Sequence, residues 1–92
     1  MSVKRYAAKR DSNEAEIISA LRNCGATVVQ LSDKGLPDLL IGMAGRTILA
    51  ETKRRKGKLT PAQETFIADW NGGDIWVIRS VEDALDMIGA VS

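Results

Sequence analysis

Two apolar runs divided by a tight turn constrain this chain more than any other feature. Residues 39–43 read Leu-Leu-Ile-Gly-Met and residues 47–53 read Thr-Ile-Leu-Ala-Glu-Thr-Lys, with Ala44-Gly45-Arg46 between them. The first run is continuously apolar, as in a strand buried on both faces, and the second returns as its hairpin partner. With positions 43 and 47 flanking the turn, paired positions sum to about 89–90, which sets Asp38 opposite residue 51 or 52. Glu51 and Lys53 rise from the apolar background of the second run, and alternation along a strand puts both on one face. A strand serving only a core would not carry two charges there.

The flanking segments complete an alternating pattern. After Asp11-Ser12-Asn13, Ile17, Ile18, Leu21 and Cys24 recur at helical spacing until Gly25, with Ser12 or Asn13 as cap. Glu14 falls on the apolar face of that helix, whereas Glu16 points away. Glu14 is therefore either a first-turn charge favoured by the helix dipole or a site residue facing inward. Residues 26–31 are β-branched and short, a first strand, and residues 32–35 are turn chemistry leading to Pro37. Beyond the hairpin, residues 54–58 form a basic loop holding Gly57. Thr60-Pro61-Ala62-Gln63 then starts a helix, with Thr60 as N-cap, Pro61 at the first helical position and Gln63 at the capping-box position.

Phe66, Ile67 and Trp70 supply that helix's apolar face, and Gly72-Gly73 end it. Residues 74–79 form a further strand, and Ser80 caps a last helix carrying Val81, Ala84, Leu85 and Ile88. Trp70 and Trp76 occupy the helix and strand phases expected of core aromatics, a partner interface formed with the terminal helix being the other reading. The order α-β-β-β-α-β-α predicts an α/β fold on a mixed sheet, in which the helix after the third strand crosses over to a parallel neighbour. At 92 residues a single domain is expected: a basic tail over 1–11, a core over 12–80 and a C-terminal helix over 81–92.

Composition narrows the chemistry. The chain has no histidine, which excludes Ser-His-Asp triads, histidine-based nucleases and histidine-ligated zinc. The single Cys24 excludes an internal disulfide and any multi-cysteine metal site. No apolar run approaches the roughly 18 residues of a membrane span and no signal-peptide pattern is present, so a cytoplasmic location is expected, with no membrane partner. Net charge is only +1, yet the basic residues cluster: Lys4, Arg5, Lys9 and Arg10 near the start, and Arg54, Arg55, Lys56 and Lys58 after the acidic pair. Such patches suit a polyanion; the N-terminal one is either a solvated tail or a nucleic-acid arm.

Two carboxylates held together repel unless a cation lies between them. Asp38 and Glu51, with the backbone carbonyl of Thr52 and waters, make an all-oxygen site of the kind Mg²⁺ or Mn²⁺ accepts. Lys53 can then orient an attacking water or stabilise charge on a phosphoryl group, while the basic loop holds flanking phosphates. The plain alternative makes Glu51 and Lys53 a solvated edge-strand ion pair and Asp38 ordinary turn chemistry. Pro37-Asp38 placed 13 residues before Glu51, between hydrophobic strands and ahead of a Gln-bearing helix, favours the site.

Pro37-Asp38…Glu51-Thr52-Lys53 resembles the signature of the PD-(D/E)XK nuclease superfamily, whose core has the same α-β-β-β-α-β order. More closely, Gly35-Leu36-Pro37-Asp38-Leu39, Glu51-Thr52-Lys53 and Leu59-Thr60-Pro61-Ala62-Gln63 are similar to the G-x-P-D-L, E-x-K and L-[ST]-x-x-Q blocks of the VRR-NUC family, the virus-type replication and repair nucleases. The resemblance implies that Asp38 and Glu51 are metal ligands, that Lys53 is the catalytic lysine and that Gln63 supports the site. It also implies a further acid from the first helix, assigned to Glu14, directly or through water, with Glu16 as the other candidate. The chain is similar to a minimal stand-alone member; small members resemble Holliday junction resolvases, which act on branched DNA as homodimers. A catalytically silent nucleic-acid-binding or assembly module on the same fold is the competing expectation.

Overall fold

The computed structural model describes residues 13–33 and 35–89. Strands β1 (Thr27–Gln30), β2 (Leu39–Met43), β3 (Arg46–Thr52) and β4 (Ile75–Ile78) form one sheet in chain order. β1 and β2 pair antiparallel, as do β2 and β3, while β3 and β4 run parallel. Parallel strands cannot be joined by a tight turn, so the chain leaves β3 through a loop and helix α2 (Pro61–Asp69) before returning as β4. Helix α1 (Glu14–Asn23) precedes the sheet and helix α3 (Val81–Met87) follows it. Among the described residues no helix is long and apolar enough to cross a membrane.

The hairpin closes one residue tighter than its sequence suggests. Met43 pairs with Arg46, leaving Ala44 and Gly45 as a two-residue turn, both with positive φ (50° and 82°). That is the backbone of a type I′ turn, whose twist matches the strands it joins. Arg46, expected in the turn, is instead the first residue of β3. Its guanidinium reaches the Met87 carbonyl at the end of α3 (3.2 Å) and the Asp74 carboxylate (3.5 Å).

The helix ends follow local chemistry. α1 stops in a Schellman motif: Gly25 takes φ +96°, Ala26 N–H donates to Leu21 O (3.1 Å) and Gly25 N–H to Arg22 O (3.0 Å). Ser80 Oγ caps α3 by accepting from Asp83 N–H (3.0 Å). The helix expected over 81–92 ends at Met87, where Gly89 turns the chain at φ +77°; residues 90–92 lie outside the described ones.

The sheet has one fully buried face. Leu39 and Ile41 of β2, opposite Ala50 and Ile48 of β3, pack with Val28 and Ile78 beneath Ile17 and Leu21 of α1 and Ala84 and Met87 of α3. On the other face Leu40 and Leu49 are only half-buried, and α2, which follows β3, buries no residue of its own. β2 is therefore buried on one face rather than two. The two tryptophans expected in the core are at the surface, Trp70 at 41% and Trp76 at 37% exposure. Apolar spacing gave their phase correctly, but α2 buries no residue, and on β4 the cover ends at Ile78, which shares its face with Trp76 and is fully buried.

Candidate active site

Continuing the β2–β3 register one step past Leu39↔Ala50 sets Asp38 opposite Glu51, as the turn arithmetic requires. The Asp38 backbone still belongs to the sheet, its carbonyl accepting from Leu31 N–H (2.7 Å). Its carboxylate reaches across to β3, where Oδ2 accepts from both the amide and the hydroxyl of Thr52, each at 2.9 Å. Two donors from one residue fix the carboxyl group at the open end of the hairpin.

Glu51 and Thr52 point to opposite faces. Glu51 is 2% exposed and meets α2, where its Oε2 accepts from Gln63 Nε2 at 2.6 Å. Gln63 also completes the capping box, since its Oε1 accepts from Thr60 N–H (2.8 Å) and its own N–H donates to Thr60 Oγ1 (3.2 Å). The cap and the carboxylate contact are therefore made by one side chain. No salt bridge joins Lys53 to Glu51 among the described residues, and β3 is an inner strand, so the edge-strand ion pair is not what these residues form.

Thr52 faces α1. Its hydroxyl lies 3.1 Å from Glu14 Oε1 as well as 2.9 Å from Asp38 Oδ2, so one O–H stands between two carboxylates. Glu14 is 3% exposed, and its Oε2 accepts from Gln30 Nε2 (3.0 Å). The helical phase that turned Glu14 inward is observed, and Glu16 is exposed. Thr52→Val keeps the shape and removes the single hydroxyl proton that the Asp38 and Glu14 carboxylates share. It is expected to cost about 1–3 kcal/mol in chemical unfolding, with Thr52→Ser recovering most of the loss.

The carboxylates and the Thr52 carbonyl are hard oxygen donors, suited to a divalent cation that keeps several waters. Among the described residues no group of three or more Asp, Glu, His or Cys is close enough to hold a metal ion. A cation here would thus be held by the Asp38–Glu51 pair with carbonyl and water oxygens. Glu14 bears on that pair through the Thr52 hydroxyl.

No protein-family model matches the sequence, and no curated protein matches it. A solved structure named "VRR_NUC domain" superposes with a TM-score of 0.70 at 22% identity, over 89% of this chain and 100% of that chain. This chain has the VRR-NUC fold.

On that fold the segments singled out in the sequence converge at one end of the sheet: the start of α1, the entry to β2, the end of β3 and the first turn of α2. Arg54, Arg55, Lys56 and Lys58 are exposed on the loop beyond, next to half-buried Lys53. Lys9 and Arg10 lie outside the described residues.

Three further side chains shape this end of the VRR-NUC fold without having been recognisable as site residues. Asn13 stands at the N-cap of α1, yet its Nδ2 donates to the carbonyls of Arg79 (3.0 Å) and Lys53 (3.3 Å), tying the helix to the ends of β4 and β3. Gln30 orients Glu14. Arg79 Nη1 donates to the carbonyls of Gly57 (2.5 Å) and Arg54 (2.8 Å), with that of Arg55 at 3.5 Å, so one guanidinium gathers the basic loop. An arginine just past a strand carries no such signal in sequence, because its partners are backbone carbonyls.

Proposed function

We propose that this protein is a divalent-cation-dependent DNA endonuclease of the VRR-NUC type that hydrolyses phosphodiester bonds in branched DNA such as Holliday junctions. The observation that carries the reading is the Asp38–Glu51 pair at the end of a hairpin, with Lys53 next on the Glu51 face and a basic loop directly beyond. The chemistry supplied by a bound Mg²⁺ or Mn²⁺ is polarisation of a phosphoryl oxygen and a more acidic water. Asp38, Glu51 and the Thr52 carbonyl would hold it, and Gln63 keeps Glu51 in place from α2. The Lys53 ammonium opposes negative charge gathering on the phosphoryl oxygens as the water attacks. Arg54, Arg55, Lys56 and Lys58 bind neighbouring phosphates.

Incubation with Mg²⁺ or Mn²⁺ and a labelled four-way junction, a flap and plain duplex, with and without chelator, tests this. Cleavage of branched forms that chelator stops is expected; no cleavage of any substrate, or equal cleavage by Lys53→Ala, overturns it.

A silent nucleic-acid-binding module is the second reading, favoured by the lack of a three-carboxylate cluster among the described residues. Thermal unfolding separates the two: Mn²⁺ raises the melting temperature of a protein whose folded state alone binds it, and leaves a silent module unchanged. Arg79 bears on either reading. Arg79→Met is expected to weaken DNA binding several-fold by releasing the loop, with little change in the slope of log K against log[salt]. A slope change of about 0.9 would instead mean that Arg79 contacts a phosphate directly.

A four-way junction is two-fold symmetric and this chain presents one site, so we propose that it acts as a C2 dimer, in the cytoplasm. β4 and α3 are the interface elements proposed, β4 being an edge strand that displays Trp76. A monomer mass by light scattering at micromolar concentration would overturn this.

A further inference from the structure

Helix α2 carries apolar side chains that the core does not use. Phe66 and Ile67 are half-buried, Trp70 is exposed, and Phe66 and Trp70 stack with centroids 5.4 Å apart at 20° between planes. The Trp70 ring is fixed as well as exposed. Its Nε1 donates to Gly73 O (3.0 Å), and it lies so close over Gly72 that a Cβ there would meet it at 2.4 Å. Any residue other than glycine at 72 would displace the ring. An aromatic pair held this firmly at the surface is a platform formed before anything binds.

The platform forms one side of an open groove of about 360 Å³ between α2 and the Gly35–Leu36 segment. Leu36, Ala62, Phe66 and Trp70 give it apolar walls; Thr65 and Asp69 add a hydroxyl and a carboxylate. Each wall leads into the candidate active site. Leu36 lies two residues before Asp38, and Phe66 follows Gln63 by three residues, about 4.5 Å along the helix axis. The basic loop enters α2 from the same end. Whatever fills the groove would therefore lie beside a phosphate held at the proposed site, and it needs a flat apolar face with a polar edge.

Resting on the nuclease reading, we propose that this groove is a nucleobase subsite, which takes one unpaired base of the strand whose phosphate lies at the Asp38–Glu51 site. Stacking on Phe66 and Trp70 holds the face of the base, and Thr65 and Asp69 meet its hydrogen-bonding edge, the carboxylate accepting from an exocyclic amine. A base within duplex has neighbours stacked on both faces and cannot reach the platform until it is extruded. The subsite thus selects DNA that offers unstacked bases: branch points, gaps and single strands.

The test is binding by the full chain in chelator, so that no cleavage is involved. The probes are a fluorescent single strand, the same strand made abasic at one position, the matching duplex, and a single strand with one 2-aminopurine. The parent is expected to prefer the intact strand to the abasic one and to quench 2-aminopurine. Trp70→Leu should lose about ten-fold in single-strand affinity, keep duplex affinity within about two-fold, and abolish the quenching. Ala62→Leu, an exposed change one helical turn before Phe66 that fills the groove and leaves both rings unmutated, should reproduce the selective loss if Trp70→Leu folds poorly.

Equal losses on duplex and single strand, or no preference for intact over abasic strand, overturn the subsite. So does a shift from dimer to monomer in Trp70→Leu, which would assign the groove to a second copy of the chain. Failure of the base preference with junction cleavage intact removes only the subsite. Base preference without cleavage of any substrate removes the nuclease reading and leaves a single-strand-binding module.

Discussion

Glu51→Gln is expected to abolish both cation-dependent cleavage and thermal stabilisation by Mn²⁺, whereas Lys53→Met removes only the first. Glu51 is nearly inaccessible and already held by Gln63, so glutamine fits its space but offers a neutral oxygen where the Asp38 pair needs a second negative charge. At a Mn²⁺ concentration 100-fold above its Kd, the parent should gain about 2.7 kcal/mol, and Glu51→Gln should gain essentially nothing. Lys53 ligates nothing in this reading. Its replacement should leave the Mn²⁺ shift intact and slow cleavage by about 10²–10³-fold, the usual scale for removing one positioned charge-stabilising group. Isothermal calorimetry and single-turnover cleavage on the same preparations check both. If Lys53→Met also lost Mn²⁺ binding, the division of roles along β3 would be wrong.

The second large effect concerns stability. Ile41 is fully buried, faces Ile48 across the hairpin and lies under α1, so Ile41→Ala should cost about 2–5 kcal/mol. A chain of this length has about 5–14 kcal/mol in all, so this variant is expected to be partly unfolded well below the parent's melting temperature. Ile67→Ala on α2 is the contrast. That side chain is half-exposed on a helix with no buried residue, and its loss should cost about 1 kcal/mol or less. Urea titrations of the two variants measure how far the weight of the fold rests on the α1–α3 face. Comparable losses would mean that α2 belongs to the core after all.

What could be read from the chain, and what could not, divides along a physical line. The hairpin was legible because Gly45 and the two apolar runs on either side of it fix a register to within a residue, and register alone brings Asp38 to Glu51. The start of α2 was legible because Thr60, Pro61 and Gln63 act on one another within four residues. Glu14 was legible as inward-facing because helical phase is a local property. Of Thr52 only the backbone carbonyl was legible, since the side chain within an E-x-K triplet carries no signal, and its hydroxyl acquires meaning only when a helix 38 residues earlier packs against it. Asn13 suggested a cap, and its amide instead joins two strand ends that lie 40 and 66 residues away. The surface positions of Trp70 and Trp76 were not legible, because periodicity shows which side of an element is apolar, not how far the neighbouring elements extend over that side.

The capping box of α2 also decides something about polarity. With Gln63 Oε1 engaged by the Thr60 amide, the carboxamide cannot flip, and only its NH₂ end is turned toward Glu51. Glutamate would satisfy the helix start equally well, since the box accepts either residue. Its second oxygen would then confront Glu51 as another anion at hydrogen-bond distance. The cap thus makes residue 63 an obligate donor, which steadies the carboxylate without competing for a cation and without adding negative charge where, in the proposed function, a phosphate approaches.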